Sequence, residues 1–347
     1  MTYPGLRILP STVRPSDLEG QTLPTTNVDA LGRRIDYLRI SVTDRCNLRC
    51  VYCMPEEGVA LQPKDELLSF EEIWRIVRAA TEIGFRKFRV TGGEPLVVKG
   101  ATKLIRGIRE ASEGALLCLT SNGILLADVI DEIHSLGVNR LNISLDTLDP
   151  SRFRALTRRD GLDKVLRTID RGLELGFERI KVNAVIVPGV NEEDLLPLVG
   201  LAESRDIDIR FIEQMPLDGQ DDGGFMGADE MLERISARYP LESVVPDDSR
   251  QAAQLMFRSP NLSGQVGIIA PRSRKFCANC NRMRLTSGGE LKGCLLSEGT
   301  LDLKTPLREG LTDEELKKLL FYAIGIKPAE YKDERYGLDR SMSAIGG

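Results

Sequence analysis

Seven cysteines occur in 347 residues, and six of them fall into two triplets. Cys46, Cys50 and Cys53 lie in TDRCNLRCVYCMPEEG, and Cys277, Cys280 and Cys294 lie in FCANCNRMRLTSGGELKGCL. Structural zinc sites use four ligands, usually as two spaced pairs. Three thiolates on a [4Fe–4S] cube instead leave one iron without a protein ligand, open to a small molecule. A zinc reading of the second triplet needs a fourth ligand, and only Cys118 or His134 remains to supply it. Cys118 sits within an apolar run and reads as a small buried hydrophobe.

His134 is the one histidine. It lies in the helical pattern LADVIDEIHSLG and reads as a packing residue. A His-rich metal site is therefore excluded, and a catalytic triad would have to be built on this residue alone. The net charge of −5 argues against general nucleic-acid binding. One local exception runs from Pro271 to Leu285, where Arg272, Arg274, Lys275, Arg282 and Arg284 occur without an acidic residue. That run reads as a solvated basic face or as a seat for a small anionic ligand. No stretch of about 18 apolar residues exists, so no membrane span is expected. The first 30 residues lack an apolar signal region and read as a mobile arm, which suggests a cytoplasmic protein. In that compartment clustered thiols are metal ligands more readily than disulfides.

The elements that must hold these groups alternate. β-Rich runs at 37–44, 86–93, 115–123, 140–147, 179–189 and 207–215 are separated by helix-period segments. One of these, FEEIWRIVRAATEIG, follows Ser69 with Glu72 three residues later, a capping-box pattern. Six β units with helical crossovers predict a parallel sheet in the α/β class, an incomplete (β/α)6-type barrel. The cysteine loop, Gly92–Gly93–Glu94, Asn122–Gly123, Asp146 and Met215 all fall after strands, where such folds carry chemistry. The expected organisation is an N-terminal arm (1–30), a partial barrel (31–215) and a C-terminal region (216–347) carrying the second triplet and ending in Gly346–Gly347.

The Cys-x3-Cys-x2-Cys loop, with Tyr52 before the third cysteine, and TGGEPL at 91–96 resemble the radical S-adenosylmethionine enzymes. The motifs YLRISVTDRCNLRCVYCMP, FRVTGGEPL, LTSNG, NISLDTL, KVNAVIVPGVN, IRFIEQMP and FCANCNRMRLTSGGELKGCL, with the final GG, resemble one family within them, the GTP 3',8-cyclases. The resemblance runs from about Leu31 to the C-terminus. It implies two [4Fe–4S] clusters, on Cys46, Cys50 and Cys53 and on Cys277, Cys280 and Cys294. It implies S-adenosylmethionine held near Tyr52, Gly93, Ser144 and Met215, with Glu94 at its ammonium. It assigns GTP to Arg39, Arg89, Thr120, Lys181, Arg282, Met283 and Arg284, and a role in turnover to Gly346 and Gly347. Bland readings stand beside these: Ser144 and Thr120 as strand-end caps, Met215 as core filler. Arg39 and Lys181 are harder to explain so, because charges within strands are costly unless paired.

The chemistry implied begins with one-electron cleavage of S-adenosylmethionine to a 5'-deoxyadenosyl radical. That radical abstracts hydrogen from C3' of GTP, and C3' closes on C8 of the guanine, an early step towards molybdenum cofactor. The implied partners are GTP, a one-electron donor and, downstream in the pathway, cyclic pyranopterin monophosphate synthase. Two rival readings remain at this level: a radical enzyme that modifies a peptide with an auxiliary cluster, and a zinc-binding interaction module.

Overall fold

The computed structural model describes residues 3–4, 6–60, 62–215, 224–244, 255–296 and 299–330. The expected strands form in order: β1 (Tyr37–Ser41), β2 (Lys87–Thr91), β3 (Leu116–Ser121), β4 (Arg140–Ser144), β5 (Arg179–Ile186) and β6 (Asp208–Glu213). Between them run α1 (Phe70–Glu82), α2 (Ala101–Ala111), α3 (Ile130–Ser135), α4 (Pro150–Thr157), α5 (Leu162–Leu175) and α6 (Leu195–Gly200). Ser69 caps α1 as its sequence predicts: its side chain accepts from the Glu72 backbone N–H, and the Glu72 carboxylate accepts from Ser69 N. The strands read as near-continuous apolar runs because helices cover the sheet, and Phe88, Leu117, Leu141, Val182 and Phe211 are all buried.

The C-terminal third is more regular than its sequence suggests. It contributes α7 (Ala228–Ser236), β7 (Glu242–Val244), β8 (Leu255–Arg258), β9 (Val266–Ile269), β10 (Arg282–Leu285), β11 (Glu290–Lys292), β12 (Thr300–Asp302), α8 (Lys304–Arg308) and α9 (Asp313–Gly325).

Two compact units divide the chain. One comprises residues 1–47, 58–118 and 280–347, and the other residues 48–57 and 119–279. In the first unit the strand order is β12-β11-β10-β1-β2-β3, and in the second it is β4-β5-β6-β9-β8-β7; β3 straddles the division. Within the first, β10 pairs parallel with β1, so a late segment extends the early strands. Within the second, β9 does the same for β6.

The N-terminal stretch corrects one expectation. Instead of a mobile arm, the described residues of 3–30 pack on the first unit. Leu6, Val13 and Leu18 are buried, Tyr3 N donates to Gly325 O at 3.0 Å, and Leu9 N donates to Tyr322 Oη at 2.7 Å. Apolar anchors and backbone bonds to α9 tie down a segment whose Pro and Thr content suggested freedom. His134 and Cys118 are structural as expected: His134 meets Phe177 edge-on at 4.9 Å, and Cys118 is fully buried.

Candidate active site

The first unit gathers cations on one face of its sheet. Arg39 on β1 is in register with Arg284 on β10 and with Arg89 on β2, and Arg284 is in turn opposite Lys292 on β11. Register partners point to the same face, so four cationic side chains form one row. Arg89, Arg284 and Lys292 are buried. Burial and the neighbouring Arg284 hold the Arg39 guanidinium well below its usual pKa, and burial with Arg282 brings Arg284 to about 10. A row that resists its own charge is one that a polyanion would stabilise. Tyr37, in register with Arg282 and Lys87, accepts from Arg89 Nε at 2.6 Å. Met283 is in register with Leu38, and both are buried on the alternate face, so its backbone is the part that can share the arginines' side.

In the same unit Gly92 and Gly93 run tightly against the segment that leads into Cys46. Gly93 N donates to Thr43 O, and Glu94 N to Arg45 O, both at 2.8 Å. A Cβ on Gly93 would stand 2.3 Å from the Arg45 carbonyl oxygen, and one on Gly92 2.5 Å from that of Thr43. Glu94 is fully buried, and its Oε1 accepts from Leu96 N.

In the second unit the cysteine loop is pinned by α4. Arg49 N donates to Thr157 O at 2.9 Å, Val51 N donates to Leu156 O at 3.0 Å, and Cys53 N closes a turn on Cys50 O. Tyr52 Oη donates to Asp146 Oδ2 at 2.7 Å, while Val185 N donates to Oδ1 of the same carboxylate. Burial raises Asp146 to about 6, although both hydrogen bonds oppose that rise. Lys181 on β5 is buried with its Nζ 3.4 Å from Asp208 Oδ2. Ser144, Asn183 and Arg210 share one register row across β4, β5 and β6, and that row continues through Gly267 on β9 to Met256 on β8. A Cβ on Gly267 would stand 2.8 Å from Met256 Sδ and 3.0 Å from Arg210 Cγ, so the missing side chain makes room for both neighbours. Thr120, near the end of β3, and Met215, two residues beyond β6, are both half-buried. Gly346 and Gly347 lie outside the described residues.

Sequence reasoning missed Arg210 and Lys292. The signal was present: each is a charge inside a strand, the argument already applied to Arg39 and Lys181. The basic run divides in two. Arg272 lies over the Phe225 ring at 4.1 Å and Arg274 pairs with Asp229 at 2.5 Å, both in the second unit. Arg282 and Arg284 belong to the first unit's β10.

The thiols of the second triplet differ in readiness for iron–sulfur ligation, and burial raises Cys294 above the usual value. None of the six triplet cysteines is in a disulfide, and all six are half-buried. Burial raises the Cys280 thiol, but Lys327 and Arg282 outweigh it and draw its pKa below the usual value, which favours the thiolate a cluster requires. Among the described residues no three His, Cys, Asp or Glu gather as ligands of a single ion. A cube differs in taking each thiolate on a separate iron.

Comparison with known proteins accords with these features. Residues 40–202 match the radical SAM superfamily profile, and residues 207–333 match that of Molybdenum Cofactor Synthesis C. Streptococcus suis SuiB bound to S-adenosylmethionine superposes with a TM-score of 0.58 at 17% identity, over 87% of this chain and 67% of that one. The fold is thus the α/β fold of the radical S-adenosylmethionine enzymes, with a C-terminal extension. The GTP 3',8-cyclase of Desulforamulus reducens is 43% identical over 92% of this chain and 100% of its own length. That of Peptoclostridium acidaminophilum is 41% identical over 92% and 98%. Human molybdenum cofactor biosynthesis protein 1 is 39% identical over 87% of this chain and 48% of its own length. The chain belongs to the GTP 3',8-cyclase family. Neither the peptide-modifying reading nor the zinc-module reading is favoured by these relatives. No helix among the described residues is long and apolar enough to cross a membrane.

Proposed function

We propose that this chain converts GTP to its 3',8-cyclised nucleotide, with its strand cations as the groups that recognise the triphosphate. The observation that carries the reading is the row of Arg284, Arg39 and Arg89 on three adjacent parallel strands, an arrangement that calls for a polyanion. Guanidinium forks suit phosphate oxygens, and burial strengthens each charge-assisted bond. Lys181 and Thr120 are the further GTP contacts that the family resemblance implies. Arg282 and the backbone at Met283 meet the nucleotide beside the second triplet.

Cys46, Cys50 and Cys53 hold one [4Fe–4S] cluster, and Cys277, Cys280 and Cys294 the other. When bound, the first cluster and S-adenosylmethionine would supply the 5'-deoxyadenosyl radical that takes hydrogen from C3' of GTP; C3' would then close on C8, and one further electron from the donor with a proton would quench the ring radical left behind. Gly93 lets the backbone approach the methionine portion, and Glu94 faces its ammonium. Tyr52, braced by Asp146, orients the loop around the adenosyl group, with Ser144 and Met215 at its margin. No histidine is needed for hydrogen-atom abstraction; the chain's task is to orient GTP and exclude water. Gly346 and Gly347 act in turnover as a side-chain-free pair. A separate one-electron donor reduces the first cluster, and the product passes to a cyclic pyranopterin monophosphate synthase.

The test is anaerobic reconstitution with iron and sulfide, then incubation with GTP and S-adenosylmethionine. The cyclised nucleotide and 5'-deoxyadenosine should appear together, with about eight irons per chain from two cubes. Protein of full iron content that cleaves S-adenosylmethionine without consuming GTP would overturn the substrate assignment.

A further inference from the structure

Lys327 is a buried cation that the function described above does not use. It follows α9 and is 3% exposed. Its Nζ lies 3.6 Å from Cys280 Sγ, donates to Arg282 O at 2.7 Å, and donates also to Gly293 O. An ammonium has three N–H donors, and these three partners match them, leaving none for a phosphate. The two carbonyls are placed tellingly: Arg282 stands two residues after Cys280, and Gly293 immediately precedes Cys294. One side chain therefore ties together the segments that bear two proposed cluster ligands.

The surroundings fix that side chain in place. A Cβ on Gly293 would stand 3.1 Å from Pro328 Cδ and 3.3 Å from Lys327 Cα, so a glycine is what lets the two segments close. On the other side Arg33, buried and ion-paired with Asp29 at 2.6 Å, donates to Pro328 O at 2.8 Å and Ala329 O at 3.2 Å. The chain just after Lys327 is clasped, which limits any swing of the ammonium away from the sulfur.

We propose that Lys327 is a positioning residue of the C-terminal cluster, holding its ligand segments together and raising its reduction potential through an N–H···S bond to Cys280. The proposal rests on the reading of Cys277, Cys280 and Cys294 as ligands. Reduction adds negative charge to a cluster, and a buried cation that donates to a ligand sulfur stabilises that state. The same cation offsets the thiolates' own burial.

The experiment compares Lys327→Met, Lys327→Gln and Lys327→Arg with the unaltered enzyme, with Cys277→Ala as the ligand control. Iron and sulfide content and the rate of iron loss to a ferrous chelator are measured on the full chain carrying both clusters. The midpoint potential of the C-terminal cluster is read in a chain whose Cys46, Cys50 and Cys53 are all Ala. Lys327→Met should lose about half its iron to the chelator at least tenfold faster, the range expected for removal of a group that supports a ligand. Its midpoint should move to more negative potential. Lys327→Gln keeps N–H donors without charge, so it should hold iron better than Met yet show a lowered potential, and Lys327→Arg should restore both. Unchanged iron loss and potential in Met and Gln would overturn the proposal. If the Met variant does not fold, an unchanged potential in Gln overturns it alone. Full iron retention in Cys277→Ala would instead overturn the ligand assignment, and the proposal with it.

Discussion

Arg39 on β1 and Arg284 on β10 are register partners on neighbouring parallel strands, brought side by side although one precedes the first cysteine triplet and the other lies inside the second. Both guanidinium pKa values are lowered, chiefly by burial and then by cationic neighbours. The pair is expected to be tuned for an anion more than for the stability of the empty site. Arg39→Met or Arg284→Met should weaken GTP binding by about tenfold to a hundredfold, since each charge-assisted bond contributes roughly 1.5–3 kcal/mol. Iron content and S-adenosylmethionine binding should stay at unaltered levels. GTP titration by equilibrium dialysis measures this, and an undiminished affinity in both variants would remove the row from the substrate site.

Lys181 requires a paired test because it has a buried partner. Its Nζ faces Asp208, and Arg179 lies 3.5 Å from the same carboxylate. Lys181→Ala should cost less than the roughly 3–5 kcal/mol of a broken buried pair, because Arg179 still neutralises Asp208. It should also weaken GTP binding. Adding Asp208→Asn should recover the thermal stability without recovering GTP affinity; recovery of both would make Lys181 purely structural.

Tyr37 predicts a proton linkage. Burial opposes ionisation of its phenol, but Arg89, Arg39 and Lys87 outweigh burial and bring it to about 7. A folded pKa below the unfolded value means the group's stabilising contribution is lost as pH falls through about 7. A triphosphate that neutralises the arginines should push the phenol back up. GTP binding near neutral pH should then take up roughly half a proton. Calorimetry in buffers of different protonation enthalpy reads this directly, and Tyr37→Phe should lack that share of the buffer dependence. Identical buffer dependence in the two proteins would refute the linkage.

Gly93→Ala should be severe. Its Cβ would meet the Arg45 carbonyl oxygen at 2.3 Å, a backbone atom that no rotamer change can move aside. Overpacking of this kind costs on the order of 1–3 kcal/mol or more. The displaced segment leads into Cys46, so the variant should lose S-adenosylmethionine cleavage and part of the first cluster's iron, while the Cys294-side cluster persists. Wild-type cleavage would show that this close approach is dispensable.

The terminal glycines are tested by Gly346→Ala combined with Gly347→Ala. Both clusters and S-adenosylmethionine binding should be retained while formation of the cyclised nucleotide falls at least tenfold, because a side-chain-free backbone reaches conformations and channels closed to other residues. Product analysis by chromatography decides it, and normal turnover would assign the terminus no role.

The thiol triplets, the glycine pair of TGGE and the parallel β/α rhythm were legible from residue types and spacing, because each depends on neighbours close along the chain. The same held for the α1 capping box, where Ser69 and Glu72 are three residues apart. Four features were not legible. α4 was overlooked although Asp149 and Pro150 mark its start, and it is the element that pins the Cys50–Cys53 loop. The N-terminal stretch looked free because its few anchors, Leu6, Val13 and Leu18, are spread thinly among polar and proline residues. The basic run looked like one patch, yet its arginines divide between the two units. Arg210, Lys292 and Lys327 read as ordinary charges until burial singled them out.

The amino-acid order by itself determined which groups are available for chemistry and which local segments present them, since caps, tight turns and ligand spacings are short-range. Only the tertiary structure decided which distant charges share a row and which sulfur a lysine meets. Strand register between remote segments is set by the hydrogen-bond ladder together with burial of one face, and a slip of one residue would turn Arg39 or Arg284 to the other side. That choice is made by the whole sheet and is written in no single stretch of the chain.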